Sequence, residues 1–180
     1  FVEQAIDSVP NQTYPNFELL VVDDCSKDNS LQLIQQKAQS DDRIRVIALE
    51  HNAGVANARN VGIKEARGEF IALLDNDDLW TVDKLERQLA LANKGADIVY
   101  CSYDFIDEKN NPIKKPFIVP QQTNFNKMLA SSVISCSTSF IKTELMQAHP
   151  FNSDFYHEDY VLWMELLRVC PTAYGDPKVL

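Results

Sequence analysis

Short apolar runs alternate with segments of helical spacing along the first half of the chain. Runs of neighbouring apolar residues predict buried strands at Phe17–Val22, Ile44–Leu49, Glu69–Leu74 and Ile98–Cys101. Apolar residues three and four apart predict helices around Val2–Val9 and over Asn29–Gln39, Gly54–Ala66 and Lys84–Ala92. Strands and helices that alternate with short links are typical of a parallel sheet covered by helices on both faces. The first half therefore predicts an α/β architecture.

The pattern changes after Tyr103. It indicates a turn over Asp107–Pro112 and irregular chain over Pro116–Gln122. Beyond these it predicts a helix at Phe125–Ala130, a strand at Ser137–Ile141, a polar and aromatic loop at Asp154–His157, and a helix at Asp159–Val169. We expect one domain over residues 1–180, with an α/β half at 1–104 and a mixed half at 105–180. Because the chain opens on a helix and not on Met, we expect an excerpt truncated at both ends.

Composition narrows the classes of function. The chain has 180 residues, 45% of them apolar, and a formal net charge of -9, which argues against nucleic-acid binding. Its four cysteines are widely spaced, which favours neither a zinc site nor a disulfide framework and suits reduced thiols in the cytoplasm. No apolar run reaches the ~18 residues that span a bilayer. Peripheral association with the inner face of a membrane stays open.

Acidic residues follow two of the predicted strands. Asp23 and Asp24 close one strand, while Asp75, Asp77 and Asp78 close another. Ligands of open α/β sheets bind outside the carboxyl ends of the strands, so both clusters point to one crevice. Helix capping would explain the first pair, but a cap needs only one of the three later acids. Since these carboxylates repel one another, they predict a Mn²⁺ or Mg²⁺ ion shared with substrate phosphate oxygens.

Four segments in order resemble the family 2 inverting glycosyltransferases of the GT-A fold. They are Ser8–Ser30, with Gln-Thr-Tyr and a strand ending in Asp-Asp; His51–Gly62, with Ala-Arg-Asn; Gly68–Asp78, with Asp-Asn-Asp; and His157–Trp163, with Glu-Asp. The resemblance implies a GT-A-type nucleotide-diphospho-sugar transferase fold, a mostly parallel sheet flanked by helices, with a mixed acceptor-side second half. Cys25 stands where the family usually has Gly. The family's first strand is missing, so this excerpt is expected to lack part of the base pocket.

The resemblance implies that a metal-dependent enzyme transfers a sugar from a nucleoside-diphosphate donor, by preference UDP, to an acceptor hydroxyl. The acceptor would be a glycan or a lipid-linked molecule in surface polysaccharide synthesis. Asp24 would contact the donor base with Asp23 as its neighbour, and Asp75 would reach the ribose. Arg59 would contact the base or diphosphate; its alternative is a surface pair with Glu65 or Asp28.

The same resemblance assigns metal binding to Asp77, with Asp78 as a neighbouring or alternative ligand. Asp159 would be the base that deprotonates the acceptor, and Glu158 would position the acceptor or its loop. Without the resemblance, two acids at a helix start are more simply structural, because the helix dipole favours them there. Trp80 and Trp163 are better explained by core packing than by sugar stacking.

Three other classes of protein share parts of this pattern. A phosphoacceptor receiver domain also has acids after early strands, but it is smaller and begins with its acidic strand. A nucleotidyltransferase would need a glycine-rich basic loop near the start, which the sequence lacks. A nucleotide-sugar-binding domain that has lost turnover stays open, because it would keep the same side chains.

Overall fold

The computed structural model describes all of residues 1–180. Its helices are Val2–Asp7 (α1), Ser30–Ser40 (α2), Val55–Glu65 (α3), Lys84–Ala92 (α4), Phe125–Ala130 (α5), Thr143–Ala148 (α6) and Glu158–Val169 (α7). Its strands are Leu19–Asp23 (β1), Ile44–Ala48 (β2), Phe70–Ala72 (β3), Ile98–Ser102 (β4), Gln122–Thr123 (β5), Phe140–Lys142 (β6) and Ala173–Val179 (β7). No helix has both the length and the apolarity to cross a membrane.

The predicted elements of the first half are present, and the differences fall in the second half. Helices α4 and α5 have the predicted bounds. The strand predicted at Ser137–Ile141 begins only at Phe140, because Cys136–Thr138 forms a 3₁₀ turn that becomes important at the site. The sequence pattern missed β5, α6 and β7. Strand β7 was missed because Gly175, Asp176 and Pro177 break its apolar pattern.

The sheet is less parallel than the alternation predicts. Strands β1 and β2 form a separate parallel pair, and the other five lie in the order β3-β6-β4-β7-β5. Strand β6 runs antiparallel to both neighbours and β5 antiparallel to β7, so β4 and β7 are the only parallel pair of the larger sheet. Parallel neighbouring strands are usually joined by a crossover helix. The chain reaches β6 through α5 and the 3₁₀ turn, and this connection does not favour parallel pairing.

Strand β4 lies at the centre, and all five of its residues are buried. Ile98 and Tyr100 belong to the largest core cluster, which includes Trp163 of α7, whereas Val99 belongs to a second cluster under α4. This alternation is that of a strand whose two faces are both covered. The expected helices on both faces are therefore confirmed at β4, and the core fixes the ends of the strands that carry the acids.

A groove of about 970 Å³ lies between β1 and β3, with α1, α3 and α4 along its walls. Each of these two strands has a hydrogen-bonded neighbour on one side only. Helix α3 packs closely on β1 because Gly62 has no side chain; a Cβ there would lie 3.2 Å from Val22 Cγ2. The carboxyl ends of β1 and β3 open onto this groove, which brings Asp24 and Asp75 to its lining.

Candidate active site

Arg59 of α3 joins two of the acidic clusters. Its guanidinium donates to Asp75 Oδ1 at 2.7 Å and to Glu158 Oε1 at 2.7 Å. It also lies 5.3 Å from the centroid of the Phe151 ring. The Arg59 side chain is 16% exposed, and paired charges in such surroundings are weakly screened. The partners expected for a surface role, Glu65 and Asp28, are not the ones observed.

Asn60, the next residue of α3, brackets the chain that leads to α7. Its side-chain amide donates to the Phe151 carbonyl at 2.8 Å, and the Phe151 amide donates to Asn60 Oδ1 at 2.8 Å. A carboxamide has both a donor and an acceptor and can make both bonds at once. Sequence reasoning missed Asn60, although it belongs to the Ala-Arg-Asn segment that carried the resemblance.

The two acids after β1 accept bonds from main-chain amides. Asp24 accepts from Ala53 N at 2.6 Å and from Gly54 N at 2.8 Å, and Gly54 has a φ of 83°. Asp23 is 4% exposed and accepts from Ser26 N at 3.1 Å. Both side chains therefore hold the loops next to β1 and α3. A recess of about 810 Å³ adjoins Asp24, lined by Cys25, Ser26, Lys27, Glu50, His51 and Asn52.

The acids after β3 lie on a tight turn held by Ser137. The Asp75 amide donates to Ser137 Oγ at 3.0 Å, and the Asp78 amide donates to the Asp75 carbonyl at 3.1 Å. Partial desolvation raises the pKa of Asp78, as do the charges of Asp75 and Asp77, and these outweigh the bond to Ser137 that lowers it. Sequence reasoning missed Ser137, which lies 62 positions from Asp75 in a run of polar residues without distinctive spacing.

Asp77 and Asp78 have no basic partner, and neither takes part in an ion pair. No three His, Cys, Asp or Glu side chains come together as a metal cage. Mg²⁺ in phosphate-handling sites uses one or two carboxylates and takes its other ligands from water and phosphate oxygens. The oxygen donors of Asp77 and Asp78 fit an ion that arrives with a diphosphate.

Glu158 and Asp159 form the first turn of α7, as the sequence predicts. Asp159 Oδ1 accepts from Tyr160 N at 2.7 Å, and this carboxylate has no basic partner. Both acids lie near Cys136: burial raises the pKa of its thiol, and so do the charges of Asp75, Asp159 and Glu158, whereas Arg59 lowers it. Arg59 therefore joins the end of β3 to the start of α7, and the charges of both segments raise the pKa of the buried Cys136 thiol.

Four of the eight predicted site residues line the groove. Asp23, Asp24, Arg59 and Asp75 line it. Arg59 ties Glu158 to Asp75, and Asp77 and Asp78 continue onto the exposed turn beyond. Trp80 and Trp163 are 8% and 1% exposed, so core packing describes both. The individual roles given to the site residues remain predictions.

The chain matches known proteins over most of its length. The model of the family described as "Glycosyl transferase family 2" matches residues 1–149. The putative teichuronic acid biosynthesis glycosyltransferase TuaG of Bacillus subtilis is 33% identical over 181 residues, which cover 100% of this chain and 72% of that protein. The UDP-Glc:alpha-D-GlcNAc-diphosphoundecaprenol beta-1,3-glucosyltransferase WfgD of Escherichia coli is 40% identical over 169 residues, 93% of this chain and 64% of that protein.

Solved structures show the same fold. Staphylococcus aureus TarS in complex with UDP superposes with a TM-score of 0.83 at 23% identity, covering 99% of this chain and 55% of that one. The mannosyltransferase PcManGT from Pyrobaculum calidifontis, in complex with GDP-Man and Mn²⁺, gives 0.75 at 21% identity, with 99% and 51% covered. The chain thus spans about half of each solved chain and about two thirds of the curated relatives.

Proposed function

The chain belongs to glycosyl transferase family 2, and on that premise we propose that it carries the donor and catalytic site of a metal-dependent inverting glycosyltransferase. The donor is a UDP-sugar and the acceptor a hydroxyl group of a growing glycan. The observation that carries the proposal is the charge balance at the groove. One cation, Arg59, is shared by Asp75 and Glu158, while Asp77, Asp78 and Asp159 have none.

The unpaired acids require a cation before a diphosphate can approach. Asp77 and Asp78 would hold Mn²⁺ or Mg²⁺, which when bound neutralises charge on the diphosphate leaving group. In this scheme the recess beside Asp24 receives the donor base. Asp24 already accepts two main-chain N–H bonds, and the lone pairs that remain can accept a donor N–H of the base. Asp75, held by Arg59, faces the ribose.

Asp159 supplies the base. Its carboxylate takes the proton of the acceptor hydroxyl while the acceptor oxygen bonds to the anomeric carbon. The bond from that carbon to the diphosphate breaks on the opposite side, and its electron pair leaves with the diphosphate, so the anomeric configuration inverts. Asp159 suits this role because no Lys or Arg pairs with it in the structure and its carboxylate accepts only a main-chain N–H bond. Glu158, fixed by Arg59, positions the loop beside it.

The relatives suggest the class of acceptor. The WfgD protein is named for a diphosphoundecaprenol-linked acceptor and UDP-Glc, and TuaG for teichuronic acid synthesis. We infer a lipid-linked glycan acceptor and a UDP-sugar donor for the protein that contains this chain. The GDP-Man bound by PcManGT makes a GDP-sugar the alternative donor. Action in the cytoplasm, at the inner face of the membrane, remains a prediction.

The test is turnover of a UDP-sugar panel with Mn²⁺ by the full-length protein that contains this chain, in the wild type and in Asp159→Asn. Loss of a general base lowers the rate by about 10²- to 10⁴-fold, and we expect UDP affinity to stay within about twofold, a change under 0.5 kcal/mol. Asp154→Asn, an exposed acid on the loop before α7, is the matched control and should keep full activity. Undiminished transfer by Asp159→Asn would remove the base assignment. Binding of UDP-sugar without any transfer by the wild type would favour the inactive binding domain.

A further inference from the structure

Lys84, the first residue of α4, is completely buried without an acidic partner. It is 0% exposed and takes part in no ion pair. Its ammonium donates to Gln88 Oε1 and lies 4.4 Å from the centroid of the Trp80 ring. Burial lowers the pKa of Lys84 to about 8. A buried cation without a counter-ion costs stability, so its presence calls for a role other than packing.

The two side chains that Lys84 contacts, Gln88 and Trp80, both bond to the same turn. Gln88 Nε2 donates to the Thr138 carbonyl at 2.8 Å, and Trp80 Nε1 donates to the Ser137 carbonyl at 3.1 Å. Both acceptors belong to the 3₁₀ turn Cys136–Thr138. Helix α4 and the segment before it are therefore joined to the turn by two buried hydrogen bonds, whose donor side chains each contact Lys84.

The other side of the turn faces the acids. Ser137 Oγ accepts from the Asp75 amide at 3.0 Å, and the same side chain lies near enough to the Asp78 carboxylate to lower its pKa against the larger effect of desolvation. Cys136 lies among the charges of Arg59, Asp75, Glu158 and Asp159. The 3₁₀ turn is thus the connection between the buried cation and the acidic segment Asp75–Asp78.

We propose that Lys84 is a positioning residue that fixes Gln88 and Trp80, and through the 3₁₀ turn holds the acidic segment in place for the cation and the donor diphosphate. An ammonium group has donors only. Gln88 must therefore turn its oxygen to Lys84 and its NH₂ to Thr138, which leaves one orientation of the carboxamide. The positive charge over the Trp80 face restrains the ring whose N–H holds Ser137. The part of this proposal that concerns the diphosphate rests on the proposed function.

Substitutions can separate positioning from stability. Lys84→Met removes the buried ammonium and keeps the Gln88 bond to Thr138, so it tests Lys84 by itself. Lys84→Met/Gln88→Leu removes the cation together with its acceptor, but it also takes the donor from the Thr138 carbonyl, which offsets the stability gained by removing a buried charge. Gln88→Glu keeps an acceptor for Lys84 but removes the donor to Thr138, so it tests the same connection in a variant that keeps the buried cation paired. Lys94→Met, on the exposed chain after α4, is the matched control for loss of a lysine.

Amide hydrogen exchange over residues 75–80 and 136–138 is the first readout, since it needs no ligand. We expect Lys84→Met and the double variant to exchange about tenfold faster in these segments, with Lys94→Met unchanged, and we expect the double variant to melt near the wild-type temperature. Gln88→Glu should show the same faster exchange. Wild-type exchange in Lys84→Met, with faster exchange in Gln88→Glu, would assign the connection to Gln88 alone and overturn the positioning role.

Calorimetry of UDP binding with Mn²⁺ is the second readout. Affinity should fall about tenfold in the double variant, and the KM for the donor should rise more than kcat falls, because the groups that react are intact. Equal affinity in the wild type and a double variant with faster exchange would separate the turn from the cation site and would overturn that part of the proposal. A wild type that binds no nucleotide sugar would remove the proposed function, while hydrogen exchange would still decide the role of Lys84.

Discussion

Two acidic segments follow strands that border the same groove, yet their charges are balanced in different ways. After β1, Asp23 and Asp24 accept hydrogen bonds from main-chain amides of Ser26, Ala53 and Gly54. After β3, Asp75 shares Arg59 with Glu158, and Asp77 and Asp78 have no cation. Carboxylates that accept main-chain hydrogen bonds stabilise the loops around them. Neighbouring carboxylates without a partner repel one another and favour the binding of a positive ion.

This difference explains why the same sequence pattern, acids after a strand, is structural after β1 and indicates cation binding after β3. A pair of acids after a strand describes both segments equally well, but only in the second do acids, Asp77 and Asp78, lack both a basic partner and a main-chain N–H donor. We therefore expect substitutions in the β3 segment to change cation-dependent activity and those in the β1 segment to change both loop stability and nucleotide binding. Four substitution experiments test this contrast.

Asp77→Asn should lower Mn²⁺-dependent turnover by at least about 100-fold, because it removes a charged ligand that offsets the diphosphate. Steady-state kinetics over a Mn²⁺ titration would measure this loss together with a higher metal requirement. Asp42→Asn, an exposed acid before β2, is the matched control and should behave as wild type. An Asp77→Asn protein with wild-type rate and metal response would place the cation elsewhere.

Asp24→Ala should weaken UDP binding about tenfold, or about 1.4 kcal/mol, if a base N–H loses its acceptor. It should also cost about 1 kcal/mol of unfolding free energy, because Ala53 and Gly54 lose theirs. Asp24→Asn keeps one oxygen and should fall between. Isothermal calorimetry and denaturant unfolding measure the two effects. A stability loss with unchanged UDP affinity would leave Asp24 with only its loop-holding role.

Neutralising Asp78 and neutralising Asp75 should change the unfolding free energy of the metal-free protein in opposite directions. Asp78→Asn should raise the unfolding free energy by about 0.5 kcal/mol, because it relieves repulsion among exposed like charges. Asp75→Asn should lower it by about 1–3 kcal/mol, because it weakens the pairing of the largely buried Arg59. Denaturant unfolding in chelator would show this; a loss of stability in both variants would contradict the contrast.

Cys25→Gly should stabilise the protein by about 1 kcal/mol or less. Cys25 has a φ of 61°, in the left-handed region that a residue with a Cβ enters at a cost. The residue lies at the turn after Asp24 and lines the recess beside it. Thermal unfolding compared with Cys25→Ala, which keeps the Cβ, is the measurement. Equal melting temperatures for the two variants would exclude backbone strain at this turn.

The spacing of apolar residues predicted most of the helices and strands, but it did not predict how distant strands pair. Lys84–Ala92 and Phe125–Ala130 have the predicted bounds, since their apolar spacing is regular over the whole helix. The position of β6 between β3 and β4 depends on a pairing between residues about seventy positions apart, which no local pattern encodes. Cys25 differs from these cases: it stands where the family usually has Gly, and its φ is in the left-handed region that Gly adopts most easily.

For the site, the sequence located the acids but not their partners. Arg59 had Glu65 and Asp28 as its local candidates and instead bonds to Asp75 and Glu158, the latter 99 positions away. Ser137 and Lys84 were missed for the same reason: their importance comes from what the fold places against them. Charge balance is a property of the folded chain, so the demand for a cation at Asp77 and Asp78 appears only once the ion pairs are known.

The edges of β1 and β3 along the groove have a consequence for what can lie between them. Leu19 N bonds to Arg43 O and Leu49 N to Asp23 O, so the alternating residues Leu20 and Val22 turn their main-chain groups away from β2. Two strand edges that border one groove are a place where an extended segment can add through main-chain hydrogen bonds. In the protein that contains this chain, such a segment would join the two sheets, and a charged substitution at Leu20 should weaken that pairing.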